Sequence, residues 1–188
     1  MRGLIVLATA LCTCAALSAD EKTAEGPQVF RHHVVGLFSP DRAEDLREAT
    51  GYIPEVCLVK VDFANGEAEF RYDPAKAFPG AKPEQIVERF NNLMQHHVPH
   101  STFGIRKLRE KPLAEYTYVE IPIAGLDCKG CAYAAYDAVI RVEGVERATA
   151  DFRQGLATAH FDPAKTNREA IEAALKQRGV ELKGAEGK

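Results

Sequence analysis

The segment VERATADFRQGLATAHFDPAK, residues 145–165, repeats a pattern found earlier in the chain. Its counterpart is VCLVKVDFANGEAEFRYDPAK, residues 56–76, and both end in Asp-Pro-Ala-Lys. When the alignment is extended back to Gly36 and Gly125, 13 of its 41 positions are identical without a gap. This self-similarity at a fixed spacing indicates an internal duplication.

Each copy has the same predicted order of elements. In the second copy, alternating apolar residues at Val119, Ile121 and Ile123 predict a strand, and 131–141 lacks helix breakers. A hairpin follows over 145–161, then a helix over 168–178 and a short last strand over 180–182. The order β-α-β-β-α-β is typical of a ferredoxin-like unit. We therefore predict an α+β protein of two tandem ferredoxin-like domains.

The predicted boundaries follow from this repeat. The first domain spans 29–108, a charged linker with Pro112 spans 109–115, the second domain spans 116–183, and a tail covers 184–188. Pro122 falls in the first strand of the second domain, where proline cannot donate a ladder hydrogen bond. We expect a bulge or an early strand end there.

The first nineteen residues have a composition of their own. Arg2 precedes a run of apolar and small residues that ends at Ala19, which is typical of a secretory signal peptide over 1–19. A polar lead-in, 20–28, follows it. An uncleaved membrane anchor is the alternative, but the run is shorter than the roughly 20 residues that span a bilayer. We predict an exported protein, periplasmic or extracellular.

Composition and cysteine content narrow the class further. The 188 residues are 46% hydrophobic and 27% charged with a net charge of −3, which is typical of a globular protein and not of a nucleic-acid binder. Removal of the signal peptide would leave Cys57, Cys128 and Cys131, an odd number that argues against a disulfide framework. We expect Cys57, near a strand start, to be a buried small hydrophobe.

Cys128 and Cys131 lie in Gly125-Leu126-Asp127-Cys128-Lys129-Gly130-Cys131, at the predicted junction of a strand and a helix. Two thiols at this spacing can converge on one ion, and a helix N-terminus lowers the thiol pKa toward the thiolate. Thiolates favour copper(I), zinc and related ions. The same spacing also occurs in redox-active thiols and in half of a zinc site.

The second copy resembles the heavy-metal-associated (HMA) domain family of copper chaperones, the periplasmic mercury-binding protein and metal-exporting P-type ATPases. The resembling residues are the two-cysteine loop, then Val142-Glu143-Gly144-Val145, Asp151-Phe152 and Phe161-Asp162-Pro163. The resemblance implies a ferredoxin-like fold and one bound thiophilic ion, whether Zn, Cu(I), Cd or Hg. It also implies a partner, either a membrane metal transporter or another metal carrier.

Two residues depart from the family pattern. Leu126 replaces the usual methionine, and Val180 replaces the aromatic residue that often follows the last glycine in copper chaperones. Asp127 resembles the Asp-Cys-x-x-Cys form of zinc, cadmium and lead exporters, which implies a third ligand. Aspartate is also a preferred helix N-cap, so Asp127 is interpreted as either a ligand or a cap.

The first copy has Ser39 and Arg42 where the second has cysteines, so its loop has lost thiolate binding. We expect this copy to be a structural or partner-docking domain. His96, His97 and His100 form a candidate second metal site, although the segment is equally interpreted as a solvated loop. His32 aligns with the inward Ile121 and is expected to be packed and hydrogen-bonded.

The sequence favours a non-enzymatic metal-binding protein that buffers, scavenges or transfers a thiophilic cation. It carries no recognisable catalytic triad, phosphate loop or zincin motif. The alternatives are an extracytoplasmic thiol-disulfide redox protein and an adaptor for a membrane metal transporter.

Overall fold

The computed structural model describes residues 26–98 and 100–184. The predicted signal peptide, 1–19, residues 20–25 of the lead-in and residues 185–188 of the tail lie outside this range. Among the described residues, no helix has the length and apolar content to cross a membrane.

The first repeat begins with strand β1 and ends with the short strand β4. Its elements are β1 (Gln28–Val35), α1 (Arg42–Gly51), β2 (Val56–Asp62), β3 (Glu67–Tyr72), α2 (Pro74–Ala77), α3 (Ile86–His97) and β4 (Gly104–Arg106). A 3-10 turn over Pro83–Gln85 leads into α3. The proline stands in the first turn, where its missing N–H has no helical partner to lose.

The second repeat has the same order of elements, without a counterpart of the short helix α2. Its elements are β5 (Thr117–Ala124), α4 (Lys129–Ile140), β6 (Val145–Asp151), β7 (Leu156–Phe161), α5 (Arg168–Gln177) and β8 (Glu181–Leu182). A 3-10 turn, Leu113–Glu115, lies between the repeats. The N–H of Val34 donates to Gly66 O, and the N–H of Ile123 donates to Gly155 O, both at 2.8 Å. Aligned positions of the two repeats thus make the same backbone hydrogen bond.

The described residues form two four-stranded antiparallel sheets, ordered β2-β3-β1-β4 and β6-β7-β5-β8. Helices cover one face of each sheet, and a separate apolar core lies between sheet and helices. The predicted α+β architecture of two ferredoxin-like units is confirmed.

The expected interruption at Pro122 is wrong. Strand β5 continues through Pro122, which pairs with Leu156 in unbroken register. The carbonyl of Pro122 accepts from Lys183 N at 2.9 Å, so the proline nitrogen points to the same side, toward β8. Strand β8 pairs only with Ile123 and Ala124, so Pro122 lies just beyond the β5–β8 ladder and its missing N–H interrupts no pair within that ladder.

The expected burial of Cys57 is also wrong. Cys57 is exposed on β2, an edge strand of the first sheet. Its neighbours Val56 and Leu58 point toward the core, so strand alternation directs the thiol to the opposite face.

Candidate metal centre

The two-cysteine loop joins β5 to α4. Gly125 turns the chain with a φ of 66°, a left-handed value that glycine adopts without a Cβ clash. Leu126 then packs under the loop, 6% exposed, within the core of the second repeat. The buried leucine therefore provides the packing expected where the related family has methionine.

Cys128 is the N-cap of α4. Its Sγ accepts the backbone N–H of Cys131 at 3.1 Å, so the loop sulfur satisfies a donor that the first turn leaves open. The interpretation of Asp127 as the helix cap is wrong. The helix begins one residue later than that interpretation requires, and a cysteine occupies the capping position.

Asp127, Cys128 and Cys131 bring three potential ligand atoms within 4.8 Å of one another. Oδ1 of Asp127 lies 3.4 Å from Sγ of Cys131. The two cysteines form a disulfide in this structure, with Cα atoms 5.2 Å apart. Two-electron reduction of that bond would place two sulfur ligands and one carboxylate at an exposed helix N-terminus, a donor set suited to thiophilic or borderline cations.

Lys129, between the cysteines, bonds to the first repeat. Its Nζ lies 2.6 Å from Oδ2 of Asp41, in the loop that corresponds to the metal loop. The hydrogen bond from Lys129 lowers the pKa of Asp41, helped by a hydrogen bond from Ser39. The two corresponding loops therefore lie side by side. No pattern in the sequence predicts this contact.

The loop of the first repeat holds no metal-ligating thiol. The hydroxyl of Ser39 donates to Asp41 Oδ1 at 2.6 Å. The guanidinium of Arg42 bonds to Gly36 O, Asp45 and Thr102. Arg42 thus stabilises its own loop through hydrogen bonds, at the position where the second repeat has Cys131.

The candidate histidine site is not assembled in the described residues. His96 and His97 end α3 with ring centroids 5.0 Å apart, but together with His100 they do not form a compact group of three ligands. A metal site there stays a prediction. His32 is packed and hydrogen-bonded as predicted, with Nε2 at 2.9 Å from the hydroxyl of Tyr72.

Together, this fold and loop define a class: a ferredoxin-like module that presents two cysteines at a helix N-terminus. Within the second repeat, residues 120–181 match the family model of the heavy-metal-associated domain. The second repeat is thus a heavy-metal-associated domain, as the sequence predicted.

Human copper-transporting ATPase 2 is 22% identical over 150 residues, a match that covers 73% of this chain and 10% of that protein. The chain thus spans about a tenth of the length of that relative. Oxidized MerP from Ralstonia metallidurans CH34 is 28% identical over 36% of this chain and 96% of its own, with a TM-score of 0.33. The N-terminal soluble domains of Bacillus subtilis CopA are 19% identical over 85% of this chain and 94% of theirs, with a TM-score of 0.34.

Proposed function

We propose that the protein is an exported, non-enzymatic carrier that buffers, scavenges or transfers one thiophilic cation through Cys128 and Cys131. The observation that supports this most directly is the convergence of both sulfurs and the Asp127 carboxylate within 4.8 Å on one loop. The match of residues 120–181 to the heavy-metal-associated domain agrees with it.

The choice of metal depends on the third donor. Copper(I) is bound stably by two thiolates, and the relative named as a copper transporter favours copper. A carboxylate beside two thiolates instead completes a site for a divalent ion such as zinc or cadmium. We propose that Asp127 joins the ligand set for divalent ions only.

The decisive experiment is metal titration of the reduced protein without its signal peptide. The parent chain is expected to bind one equivalent of Cu(I), Zn(II) or Cd(II), and a Cys128→Ser, Cys131→Ser double variant to bind none. Cys57→Ser is the matched control, because Cys57 is exposed and free. Stoichiometric binding by the double variant would reject the proposal.

A redox function is the second candidate, because the two cysteines form a disulfide. A dithiol that reduces this bond transfers two electrons and two protons and yields two thiols. Insulin reduction separates the candidates, since a carrier should show no turnover and an oxidoreductase should.

Mass analysis of the exported protein would test the proposed cleavage near Ala19.

A further inference from the structure

Helix α4, which begins at the metal loop, is packed on two faces. One face, with Ala132, Ala135 and Val139, lies in the core of the second repeat and is fully buried. The other face carries Lys129, Tyr133 and Tyr136, which are spaced so that they share one side of a helix. That second face contacts the first repeat.

Phe38 of the first repeat is the main contact. It is 4% exposed and belongs to the core of the second repeat. Its ring centroid lies 5.9 Å from that of Tyr133 and 5.6 Å from that of Tyr136. The loop of the first repeat thus contributes an aromatic side chain to the other domain.

Backbone hydrogen bonds fix this contact. The N–H of Gly36 donates to the buried hydroxyl of Tyr136 at 2.8 Å. The N–H of Ala150, on edge strand β6, donates to Phe38 O at 2.9 Å. The first repeat thereby supplies an acceptor to an otherwise open sheet edge.

Arg147 extends from β6 into the first repeat. It is 3% exposed, and its guanidinium donates to Leu37 O at 2.7 Å and Phe63 O at 2.8 Å. Burial lowers its pKa to about 10. A buried guanidinium held by carbonyls of the first repeat tolerates little relative movement of the repeats, because any shift would leave the charge unsatisfied.

The corresponding helix of the first repeat lacks this second face. Glu44 and Arg47 of α1 occupy the positions of Tyr133 and Tyr136, and their side chains are 81% and 55% exposed. The aromatic face is therefore specific to the helix that carries the cysteines.

We propose that the first repeat is a positioning domain for the metal loop, with Phe38 as its anchor and Asp41 as the residue that holds Lys129. This proposal rests on the metal-binding function proposed above. The docked loop occupies one side of α4 and the core of the second repeat another, so a partner that exchanges metal approaches Cys128 and Cys131 from the side that neither packed face covers. Neither Phe38 nor Asp41 is a ligand.

Amide hydrogen exchange in the reduced, metal-free chain tests positioning without any metal. Asp41→Asn is expected to speed exchange at Cys131 and Ala132 about two- to fivefold, the range set by one exposed ion pair. Asp41→Glu and the charge swap Asp41→Lys with Lys129→Asp should restore the parent rate. Glu48→Gln is the matched control, since it removes one exposed charge of α1 that makes no ion pair among the described residues.

Copper(I) release to a chelator tests the consequence for the site. Asp41→Asn should release Cu(I) about two- to fivefold faster than Glu48→Gln, with a melting temperature lowered by no more than about 4 °C. Phe38→Ala should raise both amide exchange and metal release more strongly. If Asp41→Asn matches Glu48→Gln in both measurements, the positioning role is wrong. If the parent chain binds no metal, the proposed function fails, and the exchange experiment still decides the positioning role.

Discussion

The hydroxyl of Tyr136 provides a sharp test of the contact between the repeats. Tyr136 is 2% exposed and accepts the buried N–H of Gly36. Tyr136→Phe keeps the ring and its packing against Phe38 but leaves that N–H without an acceptor. An unsatisfied buried donor costs about 1 to 3 kcal/mol, so the free energy of unfolding should fall by that amount.

Tyr133→Phe is the matched control on the same helix face. Tyr133 is half-buried, and its hydroxyl makes no hydrogen bond within the described residues. Its loss should change the free energy of unfolding by less than about 0.5 kcal/mol. Urea unfolding followed by far-UV circular dichroism, with the disulfide kept oxidised in both variants, measures the difference. Equal stability of the two variants would refute the hydrogen bond and the close docking that it implies.

Three further predictions concern the metal, the pH and the backbone. Asp127→Ala should weaken Zn(II) or Cd(II) binding at least about tenfold and leave Cu(I) nearly unchanged, whereas equal weakening in both titrations would defeat the ligand role. Burial, helped by nearby arginines, lowers the pKa of His33 from 6.5 to about 3. As the pH falls below 6.5, the unfolded chain is therefore protonated at His33 while the folded chain is not. The free energy of unfolding should then decrease by up to about 1.4 kcal/mol per pH unit until the pH reaches about 3, and His33 should have no such effect above pH 6.5. His33→Gln should flatten that slope in urea titrations at several pH values, and an identical slope would contradict the assignment. Gly66→Ala should lower the free energy of unfolding by about 2 kcal/mol or more, because φ is 64° and a Cβ would lie 2.7 Å from Arg147 Cδ. Gly80 has a similar φ of 70°, but a Cβ there would meet no atom within 4 Å. In the same assay Gly80→Ala should therefore lose only the part of that free energy that comes from the left-handed backbone.

The sequence predicted the fold because its signals are local. Glycine turns and the Asp-Pro-Ala-Lys segments recur at a fixed spacing, and the cysteine loop stands where a strand meets a helix. The two wrong predictions, for Cys57 and Pro122, concern the direction in which a side chain or a backbone group points. Alternation alone does not say which face of β2 is buried, so Cys57 was misplaced. The expected interruption at Pro122 was wrong because the sequence does not show where the neighbouring strand β8 ends.

The contact between the repeats was missed because no periodicity reports it. Phe38 and Tyr136 are far apart in the sequence, and neither aromatic residue by itself indicates a contact with the other repeat. A usable signal was nevertheless present in the alignment of the two copies. Tyr133 and Tyr136 replace the charged Glu44 and Arg47 of α1, and such a change marks a helix face that is buried in only one copy.

The capping role of Cys128 makes its substitutions unequal. Its Sγ both accepts the N–H of Cys131 and belongs to the candidate ligand set. Serine is itself a preferred N-cap, so Cys128→Ser would remove a soft ligand while the start of α4 stays capped. Alanine would remove both at once. A single replacement by serine can thus remove the metal ligand at this position while the helix keeps its cap. A domain of this fold can therefore lose metal binding and keep its structure.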